Sequence, residues 1–119
     1  MFRRPKAARM PRGRPETPRR DGNSRERGYK TDWDRLSRSF RRRNPLCRFC
    51  EQDGHDFPAD VVDHIVPLED GGARLCPENL QSLCHHHHNG AKRKLERLAR
   101  AHGDVGLLKV WCADKSARP

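Results

Sequence analysis

"LCHHHHNGAK", Leu83 to Lys92, sets four consecutive histidines behind a cysteine, and the phase of each histidine relative to Cys84 decides how the chain folds. On a helix of roughly 100° per residue, Cys84, Ala91, Leu95 and Leu98 share one sector, with His87 on its margin. That sector is the buried side. His86 points nearly opposite, towards solvent. His85, His88 and Lys92 share a third face beside the buried one, so a single tract serves two purposes. An expression tag is a poor explanation, since tags are terminal and longer, whereas these residues lie mid-chain and in phase.

The partners of Cys84 and His87 lie upstream. Cys47 and Cys50 form a C-x-x-C pair and Cys84 with His87 a C-x-x-H pair. A Cys3His set of this kind suits tetrahedral zinc, because three thiolates and an imidazole fill every position and leave none open. The predicted site is therefore structural. The two pairs lie farther apart than the ~15–20 residues of a compact zinc ribbon, and the excess is about two short strands and a turn. Zinc would then clamp the base of a hairpin. Ordinary buried thiols or a redox pair are the other readings of Cys47 and Cys50, but no thioredoxin-like βαβ pattern surrounds them. Cys76 and Cys112 are expected to be core thiols, with Cys76 an alternative to His87 as fourth ligand.

Composition agrees with a metal-stapled domain. The 119 residues are 33% hydrophobic, with two Trp, one Tyr and four Phe, too little for a large core. Zinc supplies what burial lacks, roughly 10 kcal/mol in small domains. An odd number of cysteines, five, fits thiols and metal ligands in a reducing compartment better than disulfides. Lys and Arg number 26 against 16 acids, a formal net charge of +10. That balance points to a polyanionic partner, nucleic acid above all. No apolar run is long enough to span a membrane, and the start has no secretory h-region, so a cytoplasmic protein is expected.

Along the chain, residues 1–28 are rich in Arg, Pro and Gly and read as a disordered basic arm. A helix is predicted over "TDWDRLSRSFRRR", capped by Thr31, with Trp33, Leu36 and Phe40 at helical spacing and Asn44-Pro45 ending it. "LCRFCEQDG" reads as a short knuckle. "ADVVDHIVPL" reads as a strand, "EDGGA" as a turn and "NLQSLC" as a second strand. A helix from about His85 to Ala101 follows, carrying Gly90 at a cost of ~1 kcal/mol. Residues 104–119 are expected to be a C-terminal tail, whose Leu107, Leu108, Val110 and Trp111 could dock back. Within "VVDHIVP", a regular strand puts Asp63 and His64 on opposite faces, whereas a bend at Pro67 or a bulge puts both at one mouth. Periodicity leaves both open.

Residues 29 to 94 resemble a known family. "YKTDWDRLSRSFRRRNPLCRFC", "DHIVPLEDGG", "ENLQSLC" and "HHNGAK" look like the HNH endonucleases, in particular the small phage-type members with a zinc-bound ββα-metal (His-Me finger) core. The resemblance implies an α+β nuclease domain over residues 29–103 with an N-terminal helix. It implies that His64 is the general base, Asp63 a ligand of the catalytic divalent metal, His88 the second protein ligand, and Asn79 the middle asparagine that fixes the loop behind His64. A neutral imidazole can accept a proton from water at physiological pH. A metal with only two protein ligands keeps positions for water, phosphate and the departing 3′ oxygen. Magnesium, manganese or nickel would fit, and the products would carry a 5′-phosphate and a 3′-hydroxyl.

The sequence departs from the family pattern twice. His87 stands where the closest relatives usually have cysteine, which weakens zinc or makes it exchangeable. Lys92 follows the last catalytic histidine by four residues rather than three, and a phosphate contact is expected of it. Arg41, Arg42 and Arg43 are expected to bind the DNA backbone. No base-reading element is evident, so a nicking or weakly specific enzyme, monomer or weak dimer, is the expectation. Its specificity would come from the tails or from a partner such as a phage terminase. The rival is a catalytically inactive zinc-stabilised nucleic-acid-binding module, which would usually have lost the base or a metal ligand; a packaging accessory protein is a third reading and does not exclude cleavage.

Overall fold

The structure, a computed structural model, describes residues 24–119, with side chains from Lys30 onward. Residues Trp33 to Pro119 form one compact unit. Most of the expected basic arm lies outside the described residues. Helix α1 spans Ser24–Arg43, so it begins well before the Thr31 cap that the sequence suggested, and Thr31 lies inside it. The helix ends where expected. Asn44 donates from both its backbone N–H and its side-chain amide to the Phe40 carbonyl, at 2.8 and 3.1 Å, and Pro45 follows, which cannot continue the ladder.

The knuckle folds as one short helix, α2 (Arg48–Gln52), whose N-terminus is capped by the Cys47 sulfur accepting from Cys50 N–H at 3.4 Å. Strand β1 (Val61–His64) then pairs antiparallel with β2 (Leu80–Leu83), Asp63 standing opposite Gln81. The fold is thus small and α+β, a two-stranded sheet among helices. The connecting loop carries single 3-10 turns at Leu68–Asp70 and Pro77–Asn79. Gly72 passes so close to β1's exit that a Cβ there would lie 1.8 Å from the Val66 carbonyl oxygen. Only glycine fits without moving the backbone.

The helix expected from His85 to Ala101 is two helices, α3 (His85–Asn89) and α4 (Ala91–Ala101). Gly90 does not sit inside a regular helix but breaks it, with φ −106° and ψ −90°, and a Cβ there would lie 3.0 Å from the His86 carbonyl. Its lack of a side chain permits the break.

Residues 104–119 are more than a tail. Helix α5 (Leu107–Ala113) buries Leu108, Trp111 and Cys112, while Val110 stays exposed. Arg118 donates to the Trp111 carbonyl at 2.7 Å and lies 4.2 Å from the Phe49 ring centroid, joining the C-terminus to the knuckle. The apolar cluster includes Cys47, Cys50, Phe49, Ile65, Leu83 and Leu95. Two of the expected zinc ligands therefore sit in the core itself. No helix among the described residues is long and apolar enough to cross a membrane.

Candidate active site

Two clusters of polar side chains draw on adjacent residues of α3, His87 in one and His88 in the other. In the first, the two C-x-x-C/H turns face each other. The Cys84 sulfur caps α3 by accepting from His87 N–H at 3.5 Å, as Cys47 caps α2. These caps aim both sulfurs, with Cys50 and His87, at one point. His87 Nδ1 lies 3.5 Å from Cys47 Sγ, 3.3 Å from Cys50 Sγ and 3.4 Å from Cys84 Sγ, and Cys50 Sγ lies 3.8 Å from Cys84 Sγ. Zinc–sulfur and zinc–nitrogen bonds of about 2.3 and 2.05 Å in a tetrahedron span sulfur–sulfur edges of about 3.8 Å and sulfur–nitrogen edges of about 3.5 Å. The donor set fits a tetrahedral ion such as zinc. Cys76 is elsewhere, its thiol donating to Glu78 at 2.8 Å, so among the described residues the fourth donor is His87.

Charge points the same way. Burial pushes the Cys50 thiol up to about 12, reinforced by hydrogen bonds and charge from Cys47 and Cys84. Burial also opposes ionisation of Cys47, but hydrogen bonds from Cys84 and Cys50 outweigh it and leave that thiol below its ordinary value. A divalent ion would supply the positive charge that a cluster of thiolates needs. Burial, then the neighbouring His86, holds His87 below its ordinary value, which favours the neutral imidazole that a metal needs. His87 Nε2 faces Asp53 at 3.7 Å, and Asp53, itself kept below the usual carboxylate range by its hydrogen bond from Lys115, completes a carboxylate–histidine arrangement.

The second cluster surrounds the end of β1. Asp63 is buried, and its Oδ2 accepts from Gln81 Nε2 and Lys92 Nζ, both at 2.9 Å. Its Oδ1 is turned to His88 Nε2, 3.5 Å away. One ion can bridge that gap, and a carboxylate oxygen with an imidazole is a donor pair suited to a divalent transition metal or magnesium. His64 sits at the strand's last position. Its Nε2 lies 2.9 Å from the Arg74 carbonyl, an acceptor only, so the neutral ring takes the tautomer with the proton on Nε2 and the lone pair on Nδ1. The Trp33 ring stacks on the imidazole, with centroids 4.6 Å apart and planes 25° from parallel.

Asn79 holds the loop between these groups. It is 2% exposed; its Oδ1 accepts from Val66 N–H at 2.9 Å and its Nδ2 donates to the carbonyls of Val66 and Ala73 at 3.0 and 2.8 Å. Every donor and acceptor that Asn79 presents to the loop is used, so the segment from Ile65 to Arg74 cannot drift from His64. Asp70 ties the same loop to α4 through a fork with Arg100, at 2.6 to 3.2 Å.

Lys92 differs from expectation. Its side chain is 0% exposed, and Nζ meets Asp63 and the His64 carbonyl at 2.9 Å and Glu96 at 2.6 Å. Three donors find three acceptors, leaving none for a phosphate. The expected phosphate contact is thus replaced by a buried link between β1 and α4. Removing the ammonium leaves Asp63 and Glu96 facing each other with no cation between them. Lys92→Met is expected to cost about 3–5 kcal/mol, read as a lowered denaturant midpoint. An unchanged midpoint would contradict the buried link.

Gln81, Glu96 and Trp33 belong to the site and were not picked out from the sequence. Gln81 follows from register, since cross-strand partners share a face of the sheet. Trp33 has only its helical spacing as a signal. Arg41, Arg42 and Arg43 are exposed in the last turn of α1, Arg41 donating to the Asp60 carbonyl at 2.6 Å. On α4, Arg93 and Arg97 are exposed one turn apart and line a cleft beside His88.

Comparison with known proteins bears on this arrangement. Residues 47–94 match the family model described as HNH endonuclease. Among solved structures the chain is similar to the HNH endonuclease of the deep-sea thermophilic bacteriophage GVE2, determined with manganese ion. The two share 34% identity and a TM-score of 0.52, over 63% of this chain and 86% of that one. No curated protein matches.

Proposed function

Because this chain belongs to the HNH endonuclease family, we propose that it hydrolyses DNA phosphodiester bonds, with His64 as general base and a divalent metal held by Asp63 and His88. The observation that carries the reading is the pairing of two features. The free Asp63 oxygen and His88 Nε2 converge at 3.5 Å, while the neighbouring His64 is held in the tautomer whose Nδ1 can take a proton. Magnesium, manganese or nickel, when bound there, would bear the charge that develops on the departing 3′ oxygen. His64 Nδ1 receives the proton of the attacking water. The Arg74 carbonyl holds the ring, and Asn79 holds the loop that carries Arg74. Lys92 and Gln81 occupy Oδ2 of Asp63 and so direct Oδ1 towards His88.

The Cys3His cluster is proposed to hold zinc as a structural ion. Arg41, Arg42 and Arg43 are proposed to contact phosphates, joined by Arg93 and Arg97. Each neutralised phosphate on duplex DNA should steepen the salt dependence by about 0.9 in log affinity per log salt. Backbone contacts of this kind select no sequence, so the proposed activity is nicking or weakly specific cutting by a cytoplasmic monomer or weak dimer. A partner such as a phage terminase would direct where it cuts. The presence of Asp63, His64, Asn79 and His88 together favours this reading over the inactive-module alternative. The chemistry is tested by end-group analysis of cut DNA. Nicks that a ligase seals directly carry the 5′-phosphate and 3′-hydroxyl required here; nicks with a 3′-phosphate would exclude the mechanism.

A further inference from the structure

Helix α1 lies outside the family-model match, which begins at residue 47, yet it supplies a wall of the site. Trp33 lies flat against His64 at 4.6 Å. The imidazole is thereby held along its edge by the Arg74 carbonyl and across one face by the indole. The same indole borders a cleft of about 360 Å³ between α1 and β1, together with Ser37, Arg38, Arg41, Asp60 and Val62. Arg38 is exposed, and among the described residues no ion pair holds its guanidinium. Asp34 also lines the cleft and opposes an anion, whereas the Asp60 carboxylate is turned away to the backbone N–H of His85 at 2.9 Å.

We infer that α1 completes the active site: Trp33 is a positioning residue that holds the His64 ring, and the adjoining cleft takes the sugar–phosphate backbone next to the cut bond through Arg38. The inference rests on the nuclease reading above. DNA fits the cleft because its two arginines continue the basic end of α1 and because it opens beside the proposed base. A rigid base gains its advantage from orientation, and a small misplacement can cost about 100-fold in rate. Binding does not need that orientation, so the two residues act on different constants.

The experiment compares Trp33→Ala, Trp33→Phe and Arg38→Ala with the unmodified full chain, measuring single-turnover cutting, DNA affinity across a salt series, manganese binding and melting. Trp33→Ala should lower the maximal rate about 10–100-fold while affinity for DNA and for manganese stays, and Trp33→Phe should restore most of the rate. Arg38→Ala should weaken DNA binding and lower the salt slope by about 1. Should Trp33→Ala unfold the chain, Trp33→Phe against Trp33→Leu makes the same comparison with bulk retained. Cutting by the unmodified chain that neither substitution alters overturns the inference and leaves the nuclease reading standing. Equal loss in Trp33→Ala and Trp33→Phe would overturn the stacking role. If the unmodified chain cuts nothing with any metal, the nuclease reading falls and the inference with it.

Discussion

Cys47→Ser is expected to abolish zinc binding and, with it, cooperative folding. The Cys47 sulfur is fully buried, caps α2, and touches the His87 donor. Core and candidate metal cluster share Cys47 and Cys50, so loss of an ion held there would loosen the apolar residues with it. Structural zinc contributes roughly 10 kcal/mol in small domains, and whole domains of this kind are stable by only about 5–15 kcal/mol. The expected readout is a chain without stoichiometric zinc and without a sharp thermal transition. Cys76→Ser, whose thiol points to Glu78 outside the cluster, should keep both. Retained zinc and an unchanged transition in Cys47→Ser would refute the clamp.

His64→Ala is expected to lower the cutting rate by about 10²–10⁴-fold, the usual worth of a positioned general base. Its DNA affinity should stay, because the imidazole is engaged with Arg74 and Trp33 rather than set among exposed cations. Fold should stay as well: the strand is held by its pairing with β2, and the loop by Asn79. Single-turnover cleavage of a short duplex, with binding measured in parallel, separates the two quantities. An unchanged rate would assign the base elsewhere.

The parts of the site that could be read in the sequence are those set by local spacing. The C-x-x-C and C-x-x-H pairs each close within one turn, so their convergence needs only that the two turns meet. The histidine tract was legible for the same reason: His87 points to the thiols and His88 to Asp63, although Gly90 divides the helix just beyond them. What depends on distant partners was not legible. Lys92 reads as a solvated lysine because its burial requires Asp63, Glu96 and a β1 carbonyl at once. Gln81 reads as an ordinary strand residue until the register places it opposite Asp63. Trp33 reads as one apolar residue in a helical pattern, and nothing local aims it at His64. The C-terminal residues were ambiguous because so short a helix as α5 gains its stability from the core it joins.

The central claim is that Asp63 and His88 form a metal site beside a working base. It is tested most directly by relaxation of a supercoiled plasmid with the zinc-loaded chain, in chelator and in magnesium, manganese or nickel. The account predicts intact plasmid in chelator mild enough to spare the zinc and nicked circles when a divalent ion is added. Plasmid that is bound yet stays supercoiled with every ion would contradict it.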